Sequence, residues 1–180
     1  LIASGIVERI GHENAVFSIK QNGEKFEETL PIPDHKHAVL HVNRALIEHG
    51  VIKSLDEIDG VGHRVVQGGE LFKDSVLVDS DVIEQVRSLN DLAPLHNPAN
   101  ITGMEAFRAE LPDVIQIAVF DTTFHQTMKP EVYLYSVPYE WYEKYGVRKY
   151  GFHGTSHQYV SERARQLLGK DDAKVIVCHL

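Results

Sequence analysis

The stretch Val114-Ile115-Gln116-Ile117-Ala118-Val119-Phe120-Asp121 decides the fold class. Six of its eight residues are apolar and four are β-branched, and the run stops on a carboxylate. That pattern predicts a central strand buried on both faces, as in a sheet with helices packed against it. Upstream, Asn97-Pro98 opens a helix, since Asn is a good N-cap and Pro is tolerated at the first helical position. Ile101, Met104, Ala106 and Phe107 give this helix an apolar side, and it ends near Pro112. A further helix follows Ser80 and carries Val82, Ile83, Val86 and Leu89. Gly60–Gln67 is apolar enough for a second buried strand, yet it contains His63 and Arg64. A charge inside a strand is costly unless it faces a partner or a cavity.

The first third reads differently. Ile2–Ile10, Ala15–Lys20 and Lys25–Leu30 are strand-like, and Asn22-Gly23 is a strong two-residue hairpin turn, so an antiparallel meander is expected. Pro31 and Pro33 end it. Asp34 is the expected N-cap of a helix through Val39, Val42, Leu46 and Ile47 that stops at Gly50, and Ser54-Leu55-Asp56-Glu57 fits a capping box. Downstream of Asp121, Val137–Tyr145 reads as helix. Gly151–His157 is a glycine-bracketed polar turn that leads into a helix through Tyr159, Val160, Ala164, Leu167 and Leu168, with Gly169 as its stop. Val175–Cys178 reads as another buried strand. A meander followed by helices alternating with buried strands makes an α/β domain with a mixed sheet and flanking helices.

Composition excludes several classes. Of 180 residues, 43% are hydrophobic and 24% charged, which argues against disorder. No apolar run approaches the ~20 residues that cross a bilayer, so no membrane partner is expected. The opening residues lack the basic and apolar regions of a signal peptide, and the single Cys178 excludes an internal disulfide, so a cytoplasmic location is expected. A net charge of −8 argues against a nucleic-acid partner. The sequence opens directly in a strand and closes on His179-Leu180 just after one, which predicts a piece cut from a longer domain at both ends.

Four segments put polar groups at the ends of expected strands, where α/β sheets gather ligands. In Gly62-His63-Arg64-Val65-Val66-Gln67-Gly68-Gly69-Glu70, Arg64 offers a rigid fork for a carboxylate or phosphate, and it pairs with a structural acid about as often. In Pro94-Leu95-His96-Asn97-Pro98, His96 precedes a helix start, where backbone N–H groups favour anions, but taken alone the segment fits a histidine that caps or packs locally better. In Phe120-Asp121-Thr122-Thr123-Phe124-His125, Asp121 is either a catalytic carboxylate or a cap. In Gly151-Phe152-His153-Gly154-Thr155-Ser156-His157, the two histidines have metal-ligand spacing but no third ligand. The hydroxyls beside Gly154 fit an anion-cradling turn better. No Walker A loop and no G-x-G-x-x-G occur. On these residues alone the reading stops at an anion site in an α/β domain.

The wording and order of GHRVVQGGE, LAPLHNPANITG, VFDTTFHQTM and YGFHGTSHQYVS resemble the acetate kinases (acetokinase family), as do Tyr133–Tyr135, Tyr139-Glu140 and Val177–Leu180. The resemblance is strong from about Gly60 onward and looser before it. It implies a ribonuclease-H-like, actin-type domain and reversible phosphoryl transfer from ATP to acetate, giving acetyl phosphate and ADP with Mg²⁺. It implies that Arg64 binds the carboxylate or its phosphoryl group, that Asp121 is the essential acid and that His153 holds the phosphoryl group in flight. His96 would help line the site. Val66, Leu95 and Phe152 would form the small apolar acetate pocket, and His179 would precede the phosphate loop. One departure is visible: Gln67 stands where many members have His.

The resemblance further implies that residues 1–180 are the N-terminal acetate-binding domain, lacking its first strand and the C-terminal ATP-binding domain. The Mg²⁺ ligands would then lie outside this stretch, the chain alone would be inactive, and the full-length protein would be a homodimer. Propionate kinase shares these motifs. Two other classes are a non-catalytic remnant binding a carboxylate or a partner, and a metal-dependent hydrolase using His153 and His157.

Overall fold

Asn22 and Gly23 both adopt positive φ, 52° and 87°, the backbone of a two-residue hairpin whose twist matches its strands. In this computed structural model, which describes residues 1–180, Ala3–Glu8 (β1), His12–Gln21 (β2) and Glu24–Ile32 (β3) form an antiparallel sheet in that order. Pro31 does not end the meander, because β3 lies at the sheet's edge, where a missing N–H breaks no ladder. Helix His35–Glu48 (α1) follows, and its first turn is capped as expected by Asp34, whose carboxylate accepts the His37 N–H at 2.9 Å. Ala38 and Ala45 of α1 join Ala15, Phe17, Ile19 and Ile32 of the sheet in a buried apolar layer. The expected capping box at Ser54 does not close: Glu57 accepts instead from the Lys53 N–H, at 3.3 Å.

The remaining elements are Gly60–Val65 (β4), Val76–Leu77 (β5), Ser80–Ser88 (α2), Asn97–Glu110 (α3), Ile115–Phe120 (β6), Pro130–Tyr133 (α4), Tyr139–Tyr145 (α5) and Gly154–Leu168 (α6). Strands β4, β6 and β5 make a second sheet in that order, with β5 antiparallel to β6. The chain divides into two compact units, residues 1–61 with 102–116, and residues 62–101 with 117–180. The first holds the meander and α1. The second holds most of the β4-β6-β5 sheet, and its core includes Val65, Ile83, Val86, Ile101 and Ala118, with Phe72 stacked on Phe120 at 4.2 Å.

Three expectations are corrected. Strand β6 is covered on one face only: Gln116, Ala118 and Phe120 are buried, whereas Ile115 and Ile117 are exposed. Side chains alternate across a strand, and no element of this chain covers the isoleucine side. In β4 only Val65 is buried, for the same reason. Val175–Cys178 forms no strand, and Ile176 is exposed. Apolar character alone does not make a strand; the backbone N–H and C=O groups need a neighbouring ladder, and none reaches this segment. No helix is long and apolar enough to cross a membrane.

Candidate active site

Arg64 is the penultimate residue of β4, and Asp121 directly follows β6. Because β4 and β6 are neighbours, residues 57 positions apart meet at one sheet end, where the Asp121 N–H donates to the Val65 carbonyl at 2.9 Å. The guanidinium of Arg64 donates from Nε to Asp121 Oδ1 at 2.9 Å and from Nη2 to Oδ2 at 2.6 Å. Asp121 is 1% exposed, while the Arg64 side chain is 63% exposed. A buried carboxylate thus anchors an exposed guanidinium in a fixed plane, with its Nη1 side open to a ligand. Hydrogen bonding to Asp121 raises the Arg64 pKa further, so its charge is permanent.

The backbone after Arg64 is held by side chains from other elements. The Val66 N–H donates to Asn100 Oδ1 and the Gln67 N–H to Asn97 Oδ1, each at 3.1 Å, while Asn97 Nδ2 donates to the Gln67 carbonyl at 3.0 Å. Asn97 is therefore not spent on capping α3, as expected from sequence; its buried amide reads the Gln67 backbone in both directions. The Gly68 N–H donates to Thr122 Oγ1 at 3.1 Å, and Gln126 Nε2 donates to the Gly69 carbonyl. Gly68 lies against the Phe120 ring, 2.9 Å from where a Cβ would be, so any larger residue would displace it.

The second wall is the start of α6. The Gly154 N–H donates to the Asp121 carbonyl at 2.8 Å, and a Cβ at Gly154 would overlap that oxygen. This places the first turn of a 15-residue helix, with Thr155 and Ser156, beside the Arg64–Asp121 pair. Helix starts carry unpaired N–H groups and partial positive charge. His153, just before the helix, has φ of 53°, a left-handed conformation uncommon in non-glycine residues. Arg64, Asp121, His153, Thr155, Ser156, Tyr159 and His179 line one cleft of about 460 Å³. The His153 and His179 rings lie 4.2 Å apart, and His179 Nδ1 is 3.0 Å from Ser156 Oγ.

Four of the residues singled out from sequence, Arg64, Asp121, His153 and His179, therefore share one cleft. The other four do not line it. Val66 is half-buried, Leu95 and His96 are exposed just before α3, and Phe152 lines a second cleft together with Gln67. His157 packs near His125 at 5.5 Å, and nowhere do three His, Cys, Asp or Glu side chains gather as a metal site. Both Asp121 oxygens are taken by Arg64, so these residues do not form a Mg²⁺ site by themselves. Sequence reasoning missed Asn97 and Asn100 as loop clamps, and Thr122 and Gln126 with them. The only available signal was a cluster of side-chain amides and hydroxyls inside the motifs.

Chemically, the cleft offers a fixed cation, imidazoles and a helix start, and so suits an anion bearing several oxygens. The sequence profile described as the acetokinase family matches residues 1–180.

The chain belongs to the acetokinase family.

It is 64% identical over 180 residues to an acetate kinase of Acholeplasma laidlawii, covering 99% of this chain and 46% of that relative. It is 58% identical over 182 residues to acetate kinase 2 of Listeria monocytogenes, of which it also covers 46%. Its fold matches a propionate kinase of Francisella tularensis with a TM-score of 0.93 at 41% identity, covering 99% of this chain and 46% of that one. The acetate kinase of Porphyromonas gingivalis matches with a TM-score of 0.90 at 47% identity, covering 94% and 43%. The α/β fold with a mixed sheet is thus the one found in acetate and propionate kinases. The chain spans about half the length of the curated relatives it matches.

Proposed function

We propose that this chain is the acetate-binding portion, residues 1–180, of an acetate kinase that transfers a phosphoryl group reversibly between ATP and acetate, giving acetyl phosphate and ADP. The single observation that carries this reading is the Arg64 fork, fixed by buried Asp121 and facing His153 at the start of α6. Phosphoryl transfer needs little covalent chemistry from the protein; it needs alignment and positive charge around the transferring oxygens. Arg64 binds the carboxylate or the phosphoryl group, and His153 donates to the phosphoryl oxygens in flight. Asp121 orients Arg64 and is not the base, because acetate is already ionised at neutral pH. His179, which lines the cleft, approaches the phosphate, and by the family resemblance His96 with the apolar Val66, Leu95 and Phe152, which lie outside this cleft, form the acetate side beyond it. Transfer is direct and in line.

Mg²⁺ travels with the nucleotide, on ligands these residues do not supply. The whole protein works in the cytoplasm as a homodimer. Incubating the protein from the complete reading frame with acetate and ATP, and trapping product with hydroxylamine, tests the activity. Acetohydroxamate should form, and Arg64→Ala should abolish it. Chiral phosphate should show inversion at phosphorus; retention would imply a phosphoenzyme and overturn direct transfer. Propionate is the second reading, favoured by the fold match to a propionate kinase; the ratio of kcat/KM for acetate and propionate decides between them.

A further inference from the structure

The segment Gly146–His153 connects α5 to α6 without regular structure, and three of its residues, Gly146, Gly151 and His153, have positive φ. Positive φ costs the two glycines nothing, but His153 keeps a left-handed backbone that persists only where its surroundings over-determine it. Arg148 holds the segment from one side, beside the Tyr150 hydroxyl, which donates to the Gly146 carbonyl at 2.7 Å, and His125 Nε2, 3.0 Å from the Phe152 carbonyl. The Arg148 side chain is 3% exposed and Nη1 donates to Glu70 Oε1 at 2.5 Å. Its guanidinium lies 3.6 Å from the centre of the Tyr133 ring and 5.0 Å from that of Tyr150. Glu70 also accepts from the Tyr142 hydroxyl at 3.2 Å, while Lys149 N–H donates to the Tyr133 carbonyl at 2.8 Å. Glu70 lies in the loop that follows Arg64's strand, six residues from Arg64; Arg148 lies in the connection that ends at His153, five residues from it.

We infer that the Glu70–Arg148 pair, clamped between Tyr133 and Tyr150, is a positioning brace that sets His153 against Arg64 for phosphoryl transfer. The inference rests on the proposed activity and extends it to residues that touch no reacting atom. Arg148 is suited to this by chemistry: it is always charged, planar and able to stack on one face while bonding along its edge. A lysine keeps the charge but loses the planar fork. Losing Glu70 strands the buried guanidinium without its carboxylate, whereas losing Arg148 leaves a half-exposed carboxylate in water and an unfilled space between the two rings; in either case the turn should relax and carry His153 with it. A misplacement on the order of 1 Å can lower a rate by ~100-fold.

The test uses the protein from the complete reading frame and the variants Arg148→Met, Arg148→Lys, Glu70→Gln and the double variant Arg148→Met/Glu70→Gln. Steady-state acetyl phosphate formation is measured well below each variant's melting temperature, with the His153 ring resonance followed by NMR. Arg148→Met and Glu70→Gln should each lower kcat about tenfold or more, with the acetate KM changed less than about threefold. Arg148→Lys should recover part of the loss, and the double variant should be no worse than the poorer single. The His153 resonance should move while that of His12 does not. A kcat within about twofold of wild type in Arg148→Met, or losses that multiply in the double variant, would overturn the brace. Should the wild-type protein show no acetate-dependent transfer, the activity reading falls separately. The His153 resonance then decides, an unmoved signal in Arg148→Met overturning the inference.

Discussion

The buried carboxylate of Asp121 spends both its oxygens on the exposed guanidinium of Arg64, through Nε at 2.9 Å and Nη2 at 2.6 Å. The pair combines an anchor that water cannot reach with a cation that a ligand can. Only arginine can make it, since the two parallel bonds need a rigid fork.

Arg64→Lys is therefore expected to fail despite keeping its charge. One ammonium cannot satisfy both Asp121 oxygens and still face the cleft. In the protein from the complete reading frame, kcat for acetyl phosphate formation should fall by about 100-fold. A concurrent loss of roughly 1–2 kcal/mol in stability is expected, below the usual cost of breaking a buried pair because Arg64 is largely exposed. Steady-state rates and urea melts check both.

Asn97→Ala should be the most destabilising change among the residues that hold the site. It leaves the N–H and C=O of buried Gln67 without partners, at a cost of roughly 2–3 kcal/mol. Asn97→Asp retains the acceptor but loses the donor, and should recover part of that. Thermal melts that place alanine and aspartate together would contradict the two-way reading.

Gly154→Ala should disturb the site without touching any charged group. The added methyl overlaps the Asp121 carbonyl and pushes the start of α6 away from β6. A loss of about 1–3 kcal/mol is expected, together with weaker binding of acetyl phosphate by calorimetry. An alanine protein that binds as well as wild type would show that the close approach is dispensable.

Asp34 should give the first unit an acid-side pH dependence. Bonds from His37, first from its backbone N–H, hold the carboxyl below its ordinary value of 3.8. A group more acidic folded than unfolded contributes its full stabilisation above pH 3.8 and loses it as pH falls through the lower folded value. Asp34→Asn still caps the helix but does not titrate, so its melting temperature should fall less steeply below that pH. The contribution is modest because the carboxyl is in water.

The 180-residue chain by itself should form no acetyl phosphate from acetate and ATP. It spans 46% of the length of the acetate kinases it matches. Robust hydroxamate formation by this chain alone would overturn the assignment of residues 1–180 to the acetate side.

Local signals were legible in the sequence. Asn22-Gly23 specified the hairpin, Asp34 the cap of α1, and Gly169 the end of α6, because each acts through its own backbone. The convergence of Arg64 and Asp121 was legible only through the family resemblance, since nothing in either segment specifies a neighbour 57 positions away. Asn97 was misread because capping and loop-clamping draw on the same amide, and tertiary packing chose between them. Val175–Cys178 carries the composition of a strand, but composition cannot supply the partner. Glu70 and Arg148 stand 78 positions apart, and nothing in either segment specifies their pairing.

The two-way grip of Asn97 on Gln67 has a bearing on how the protein ages. Asparagine turns to aspartate most readily when the following backbone nitrogen attacks its side-chain carbonyl and expels ammonia. Pro98 follows Asn97 and has no N–H to give up, so that route is shut at the asparagine whose amide the site cannot spare. Asn22, followed by Gly23 in an exposed turn, has no such guard, and the wear of time falls there, far along the chain from Arg64.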